Sequence, residues 1–123
     1  MKQQLMDCQS WEARYRLIIQ LGKQLERPSE QELATMSLIE GCEAQLWFSA
    51  TPCNDTYHFR AYSEARIMNG LLWILLQELE SKNAEQLKQF QLTAFFSQLG
   101  ITQRLSATRL NGLKQIEAYL HQL

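Results

Sequence analysis

Gly70 to Leu76 is an unbroken apolar run, extended by Ile67 before it and Leu79 after it. Read at helical spacing, this stretch is apolar nearly all round, so it has to be covered on every side by the rest of the chain. The run is too short to span a bilayer. It therefore marks the buried central helix of a globular domain, with Ser63 placed to cap its start. A chain of 123 residues supports one such core, so residues 1–123 read as a single domain.

The cover is of two kinds. From Ala44 the chain alternates, with Ala44, Leu46, Phe48 and Ala50 on one face and Gln45, Trp47 and Ser49 on the other. This is the period of a half-buried strand. Thr51-Pro52-Cys53-Asn54-Asp55 is dense in turn formers. A second alternating run follows, Tyr57, Phe59 and Ala61 against Thr56, His58, Arg60 and Tyr62. The two make an antiparallel hairpin. Two strands alone are marginal, so a third strand or heavy helical cover is expected.

Helices flank the hairpin on both sides in sequence. Ser10 to about Leu25 reads as an amphipathic helix, with Trp11, Tyr15, Ile18, Gly22 and Leu25 inward and Arg14, Gln20 and Lys23 facing water. Pro28 stops it. Ser29-Glu30-Gln31-Glu32 has capping-box spacing for a short second helix. After the central helix, Asn83 with Gln86 and then Thr93 are set to cap short helices with Phe90, Phe95, Phe96 and Leu99 in the core, and Gly100 is a stop. Ser106 opens a last helix with the stripe Leu113, Ile116, Leu120 and Leu123. Helices, strands, helices: the fold class is α+β, a small antiparallel sheet covered by helices.

The formal charge of −1 gives no basic excess for nucleic acid. Met1 to Gln4 lacks the apolar core of a signal peptide. Three cysteines are too few and odd in number for a secreted disulfide framework, so a cytoplasmic protein with reduced thiols is expected. Cys53, His58 and His121 lack the paired short spacing of a zinc site. No glycine-rich phosphate loop or paired-acid motif is present, so no cofactor is expected. Cys42 stands out. It follows Gly41 at a turn and leads straight into the first strand, so a thiol is held next to a rigid element on a loop. The alternative is a small buried hydrophobe, the usual role of a free cysteine. Arg109 lies in the first turn of the last helix, where a cation opposes the helix dipole. It is either tied to a carboxylate or the cysteine loop, or exposed on a solvated face.

Gly41-Cys42-Glu43-Ala44-Gln45-Leu46-Trp47 resembles the signature of the SufE/CsdE family of sulfur acceptors, a Gly-Cys pair followed by two variable residues, a polar one, an apolar one and Trp. Ser63-Glu64-Ala65-Arg66-Ile67-Met68-Asn69-Gly70-Leu71 resembles that family's helix start. Leu105-Ser106-Ala107-Thr108-Arg109-Leu110-Asn111-Gly112-Leu113 is similar to its Leu-(Ser/Thr)-x-x-Arg-x-x-Gly-Leu block, and Trp11-Glu12-Ala13-Arg14-Tyr15 to Trp-Glu-x-(Arg/Lys)-Tyr. The blocks occur in the family's order from Trp11 to about Leu120. Two positions depart from the pattern: Tyr62 stands where many members have Asp, and Ala44 where a small polar residue is common.

The resemblance implies a SufE/IscU-like fold and a sulfur carrier that is not itself an enzyme. A cysteine desulfurase of the SufS/CsdA type, using its own pyridoxal phosphate, would load sulfur onto Cys42 as a persulfide. Gly41, Glu43, Gln45, Trp47 and Arg109 would support the site. The carrier would stimulate the desulfurase and deliver sulfur to an Fe–S scaffold or another acceptor. The stretch from about Ser37 to Gln45 is expected to move when the desulfurase binds. Two other readings compete: a small α+β adaptor that binds proteins without sulfur chemistry, and an Fe–S scaffold, which needs converging ligands.

Overall fold

The computed structural model describes residues 2–39 and 44–123. In chain order its elements are α1 (Lys2–Asp7), α2 (Trp11–Gly22), α3 (Glu30–Thr35), β1 (Ser37–Leu38), β2 (Leu46–Cys53), β3 (Thr56–Ser63), α4 (Arg66–Leu79), α5 (Ala84–Gln89), α6 (Leu92–Gln98), a 3-10 turn (Thr102–Arg104) and α7 (Ala107–His121). The strands form one antiparallel sheet in the order β1-β2-β3. The α+β arrangement expected from the sequence is the one found.

α4 is the central helix: Ile67, Met68, Gly70, Leu71, Leu72, Ile74, Leu75 and Leu79 are all buried. α2 packs along one side of it and β3 along another. The α2 crossing is made at two glycines. A Cβ on Gly70 would collide with the backbone oxygen of Ile18, and one on Gly22 would lie 2.6 Å from the Gly70 nitrogen. Phe48 and Phe59 complete the core from the sheet, and Tyr119 of α7 meets Phe48 edge-on with centroids 5.4 Å apart.

β2 and β3 pair from Leu46↔Ser63 to Cys53↔Thr56, and the core face carries Leu46, Phe48, Phe59, Ala61 and Ser63 as the alternation requires. The turn is narrower than the sequence suggested. Only Asn54 and Asp55 lie outside the strands, with Asn54 at φ 57°, a left-handed conformation that asparagine tolerates well. Thr51, Pro52 and Cys53 extend β2 instead. Pro52 fits because narrow and wide pairs alternate, so one step from the closing pair its nitrogen points away from β3. β1 stops at Phe48 and does not reach it, so no ladder bond is lost. β1 itself, only two residues long, is the third strand.

Several helix ends match their sequence signals. Ser10 caps α2 through the Ala13 N–H, Ser29 and Glu32 form a complete capping box, as do Asn83 and Gln86, and Ser106 caps α7. Gly100, at φ 72°, ends α6, with Ile101 N–H donating to the Phe96 carbonyl and Gly100 N–H to that of Ser97. These two bonds are a Schellman closure.

Other signals were misread. Ser63 does not cap α4: it ends β3, and the N-cap is Ala65 without a side-chain bond. The Ser63 hydroxyl accepts from Ala65 N–H at 3.1 Å, while the Asn69 side chain accepts from Ser63 N–H at 2.7 Å and donates to its carbonyl at 2.8 Å. The helix thus starts two residues later than local spacing implied. Thr93 does not cap α6 either. Glu117 of α7 accepts from the Leu92 N–H at 2.7 Å, a long-range partner that no local motif announces.

α2 ends at Gly22, and its two faces differ from the expected ones at one position each. Tyr15 is 36% exposed. Arg14 is half-buried rather than fully in water, because α1 packs there with Leu5 buried. The guanidinium donates to the carbonyls of Leu5 at 3.1 Å, Cys8 at 3.4 Å and Gly100 at 3.4 Å. Arg14 so joins α1, α2 and the end of α6. Among the described residues no helix is long and apolar enough to cross a membrane.

Candidate functional site

Cys42, with its neighbours Gly41 and Glu43, lies outside the described residues. What the structure defines is the frame from which that segment leaves and to which it returns. β1 runs antiparallel to β2 with Ser37 opposite Phe48 and Leu38 opposite Trp47, and Ile39 N–H donates to the Leu46 carbonyl at 2.8 Å. On the return side, the Gln45 carbonyl accepts from Glu64 N–H at 3.2 Å. Both ends of the segment are therefore fixed at one end of the sheet, beside the corner that starts α4.

Side-chain burial follows from this pairing. Ile39 and Leu46 are buried, whereas Leu38 is 50% exposed. Leu38 lies on the outer face, opposite Trp47, and Trp47 lies opposite Tyr62. The Trp47 and Tyr62 rings stack with centroids 6.4 Å apart and an interplanar angle of 26°. An apolar row, Leu38-Trp47-Tyr62, thus crosses the outer face of the sheet close to where residues 40–43 begin.

The segment before β1 is tied down at the far edge of the sheet, on β3. The guanidinium of Arg27 stands 5.9 Å from the Tyr62 ring, and Arg60 of β3 pairs with Glu32 of α3. Glu32 also accepts from Ser29 N–H at 3.0 Å as part of its capping box. Arg60, with Ser29 adding to it, holds the Glu32 carboxyl down at about 2, against an ordinary value of 4.5. From Glu32 at β3 the chain crosses to Ser37 at β1, with Met36 buried on the way.

Of the supporting residues named from the sequence, Gln45 and Trp47 are brought together at the sheet end. Arg109 is half-buried in the first turn of α7, its N–H bonded to the Ser106 hydroxyl at 3.3 Å. Among the described residues no hydrogen bond or ion pair joins the Arg109 side chain to Gln45 or Trp47. The remaining thiols lie elsewhere. Cys8 donates to the Gln4 carbonyl at 3.3 Å at the end of α1, and Cys53 is exposed at the hairpin tip. Among the described residues no three His, Cys, Asp or Glu side chains are grouped to hold a metal ion.

One feature of this region was not read from the sequence. A pocket of about 220 Å³ opens between α2, β3 and α4, with Ile19 and Leu25 in its walls, Tyr62 at its side, and Lys23, Arg27 and Arg66 around it. Its residues come from three elements far apart in the chain, so no local spacing gathers them.

A chain with a helix-covered three-stranded sheet and a Gly-Cys pair in the sequence between its first two strands is of the SufE class. It belongs to the SufE family, the Fe-S metabolism associated domain, whose profile matches residues 1–123. It is 58% identical over 124 residues to an uncharacterized SufE-like protein of Haemophilus influenzae, covering 100% of this chain and 98% of that one. It is 40% identical over 107 residues to the sulfur acceptor protein CsdE of Escherichia coli, covering 86% of this chain and 73% of CsdE. The solution structure of a hypothetical protein from Thermus thermophilus has the same fold, with a TM-score of 0.77 at 14% identity over 98% of this chain and 87% of that one.

Proposed function

We propose that this protein is a sulfur acceptor that takes persulfide sulfur from a pyridoxal phosphate-dependent cysteine desulfurase onto Cys42. The observation that carries the reading is the Gly41-Cys42 pair with Gln45-Leu46-Trp47 behind it, in a chain that is SufE-like over its full length and 40% identical to CsdE. The Cys42 thiolate attacks the terminal sulfur of the desulfurase persulfide. The sulfur–sulfur bond of that persulfide breaks, the desulfurase cysteine leaves as a thiolate, and a new sulfur–sulfur bond forms on Cys42. No external oxidant or reductant is needed. Relieving the desulfurase of its sulfur frees it for another turnover, so the carrier acts as co-substrate and activator, and the pyridoxal phosphate stays with its partner.

The protein works in the cytoplasm, where Cys8 and Cys53 remain thiols, and it passes sulfur on to Fe–S cluster assembly or another acceptor. Gln45 and Trp47 anchor the return of the cysteine segment to the sheet, and Arg109 supports it from α7. The test is mass spectrometry after incubation with L-cysteine and the cysteine desulfurase of the source organism. Wild-type protein gains sulfur on Cys42 and stimulates the desulfurase. Cys42→Ser does neither, while Cys8→Ser and Cys53→Ser keep most of both. Equal loss in Cys53→Ser would point to a relay between two cysteines.

A further inference from the structure

The pocket between α2, β3 and α4 combines two features that a purely structural cleft does not need. The first is charge. Lys23, Arg27 and Arg66 are all exposed around it, and among the described residues none of them has a carboxylate within ion-pair distance. In a chain whose formal charge is −1, three cations at one pocket with no carboxylate partner among the described residues are a local excess. The second is the apolar row that starts at the pocket wall. Tyr62 lines the pocket, stacks on Trp47, and through Trp47 leads to Leu38, which is 50% exposed.

We propose that this face docks the partner desulfurase, through a carboxylate side chain in the pocket and apolar side chains over the Leu38-Trp47-Tyr62 row. The proposal rests on the sulfur-acceptor reading for the identity of the partner. A small free anion is the poorer occupant, because exposed cations hold it only through water-screened attraction. A protein surface covers the aromatic row at the same time, removes water from the charges, and lets the guanidinium groups of Arg27 and Arg66 grip the carboxylate with paired N–H donors. The row ends on β1, whose chain runs through Ile39 into the segment that bears Cys42. Contact here fixes the orientation of that segment toward the partner without touching the reacting sulfur. These residues should govern how much carrier is needed, and leave the transfer step itself alone.

The experiment measures sulfur gain on Cys42 against carrier concentration, using the desulfurase of the source organism and L-cysteine, for wild type, Arg27→Glu/Arg66→Glu and a control, Lys88→Glu/Lys114→Glu. The docking variant is expected to need roughly tenfold more carrier for half-saturation, with the same maximum, while the control matches wild type. Raising salt from about 50 to 300 mM should weaken wild type several-fold and the docking variant little. Half-saturation unchanged in Arg27→Glu/Arg66→Glu overturns the proposal, provided circular dichroism shows the variant folded; Lys23→Glu repeats the test if it is not. Calorimetric binding of Cys42→Ser carriers to the desulfurase, with and without the two charge reversals, reads docking apart from sulfur chemistry. Binding weakened by the reversals while wild type gains no sulfur upholds docking and sinks the acceptor reading. Sulfur gain with binding indifferent to the reversals does the opposite. Saturable shifts of the Tyr62 and Arg66 resonances with millimolar phosphate or succinate, undiminished by bound desulfurase, would assign the pocket to a free anion and overturn the docking assignment.

Discussion

Gly22 and Gly70 meet where α2 crosses α4, so closely that a Cβ on Gly22 would lie 2.6 Å from the Gly70 nitrogen. The obstacle is backbone, which cannot rotate away as a side chain can. Gly70 is tighter still, since its added Cβ would strike the Ile18 carbonyl. Overpacking of this kind costs about 1–3 kcal/mol and more where backbone must shift. Gly70→Ala should therefore destabilise by about 3 kcal/mol and Gly22→Ala by somewhat less, although alanine is the better helix former by roughly 1 kcal/mol. Urea unfolding checks both. A Gly70→Ala variant as stable as wild type would show that the helices can separate freely.

Arg14 is the second point where distant parts of the chain meet. Its guanidinium satisfies carbonyls of Leu5, Cys8 and Gly100. Hydrogen bonds from a charged donor contribute about 1.5–3 kcal/mol each at most, and partial exposure reduces that here. Arg14→Ala should cost about 2 kcal/mol in all. The loss should appear first as faster amide exchange in α1, whose only buried residue is Leu5. Uniform loosening of the whole chain, with α1 no more affected than α4, would argue against a local clamp.

Glu32 gives the molecule a pH dependence of definite sign. Its carboxyl is held near 2 in the folded protein, against 4.5 ordinarily, mainly by Arg60 and then by Ser29. A carboxyl pulled down on folding contributes stability that is complete above its ordinary value and disappears as pH falls through its folded value. The thermal midpoint of wild type should thus exceed that of Glu32→Gln by a constant margin above about pH 5, and the margin should shrink between pH 4.5 and about 2. The carboxyl is exposed, so the margin is small and falls with salt. A carboxyl carbon titration of Glu32 centred on 4.5 would show that Arg60 does not hold it.

Local chemistry made most of the frame readable. The α4 run, the hairpin alternation, the two capping boxes, the Ser10 and Ser106 caps and the Gly100 stop are all short-range signals, and all correspond to real features. What failed depends on residues distant in sequence. Arg14 reads as solvent-facing until α1 and Gly100 are placed beside it, and the start of α6 is satisfied by Glu117, 25 residues away. α1 itself carries only Leu5 as an inward residue, too little for a periodic signal. The candidate site divides the same way. The Gly41-Cys42 pair and Trp47 stand in one short stretch of sequence, but the cations at Lys23, Arg27 and Arg66 gather only when α2 and α4 lie side by side.

The ends of the cysteine segment set a limit on how much of the chain can move when a desulfurase binds. The sequence suggested motion from Ser37 to Gln45. Ser37 and Leu38, however, are paired to β2, Ile39 N–H is bonded to the Leu46 carbonyl at 2.8 Å, and Ile39 and Met36 are each only 8% exposed. Peeling β1 away would expose both side chains, at about 1.5–3 kcal/mol each. Losing the backbone bonds adds about 1 kcal/mol apiece. The total, roughly 5–8 kcal/mol, approaches the whole stability of a typical domain. Freeing residues 40–44 alone breaks none of these contacts. Rearrangement should accordingly be confined between Ile39 and Gln45. Hydrogen exchange with and without the desulfurase measures this residue by residue. Changes are expected at the amides of residues 40–44, while Ser37 and Ile39, whose N–H groups face β2, keep their protection. Acceleration at Ile39 equal to that at its neighbours would mean that the partner strips β1 from the sheet, and that binding supplies far more free energy than a segment rearrangement requires.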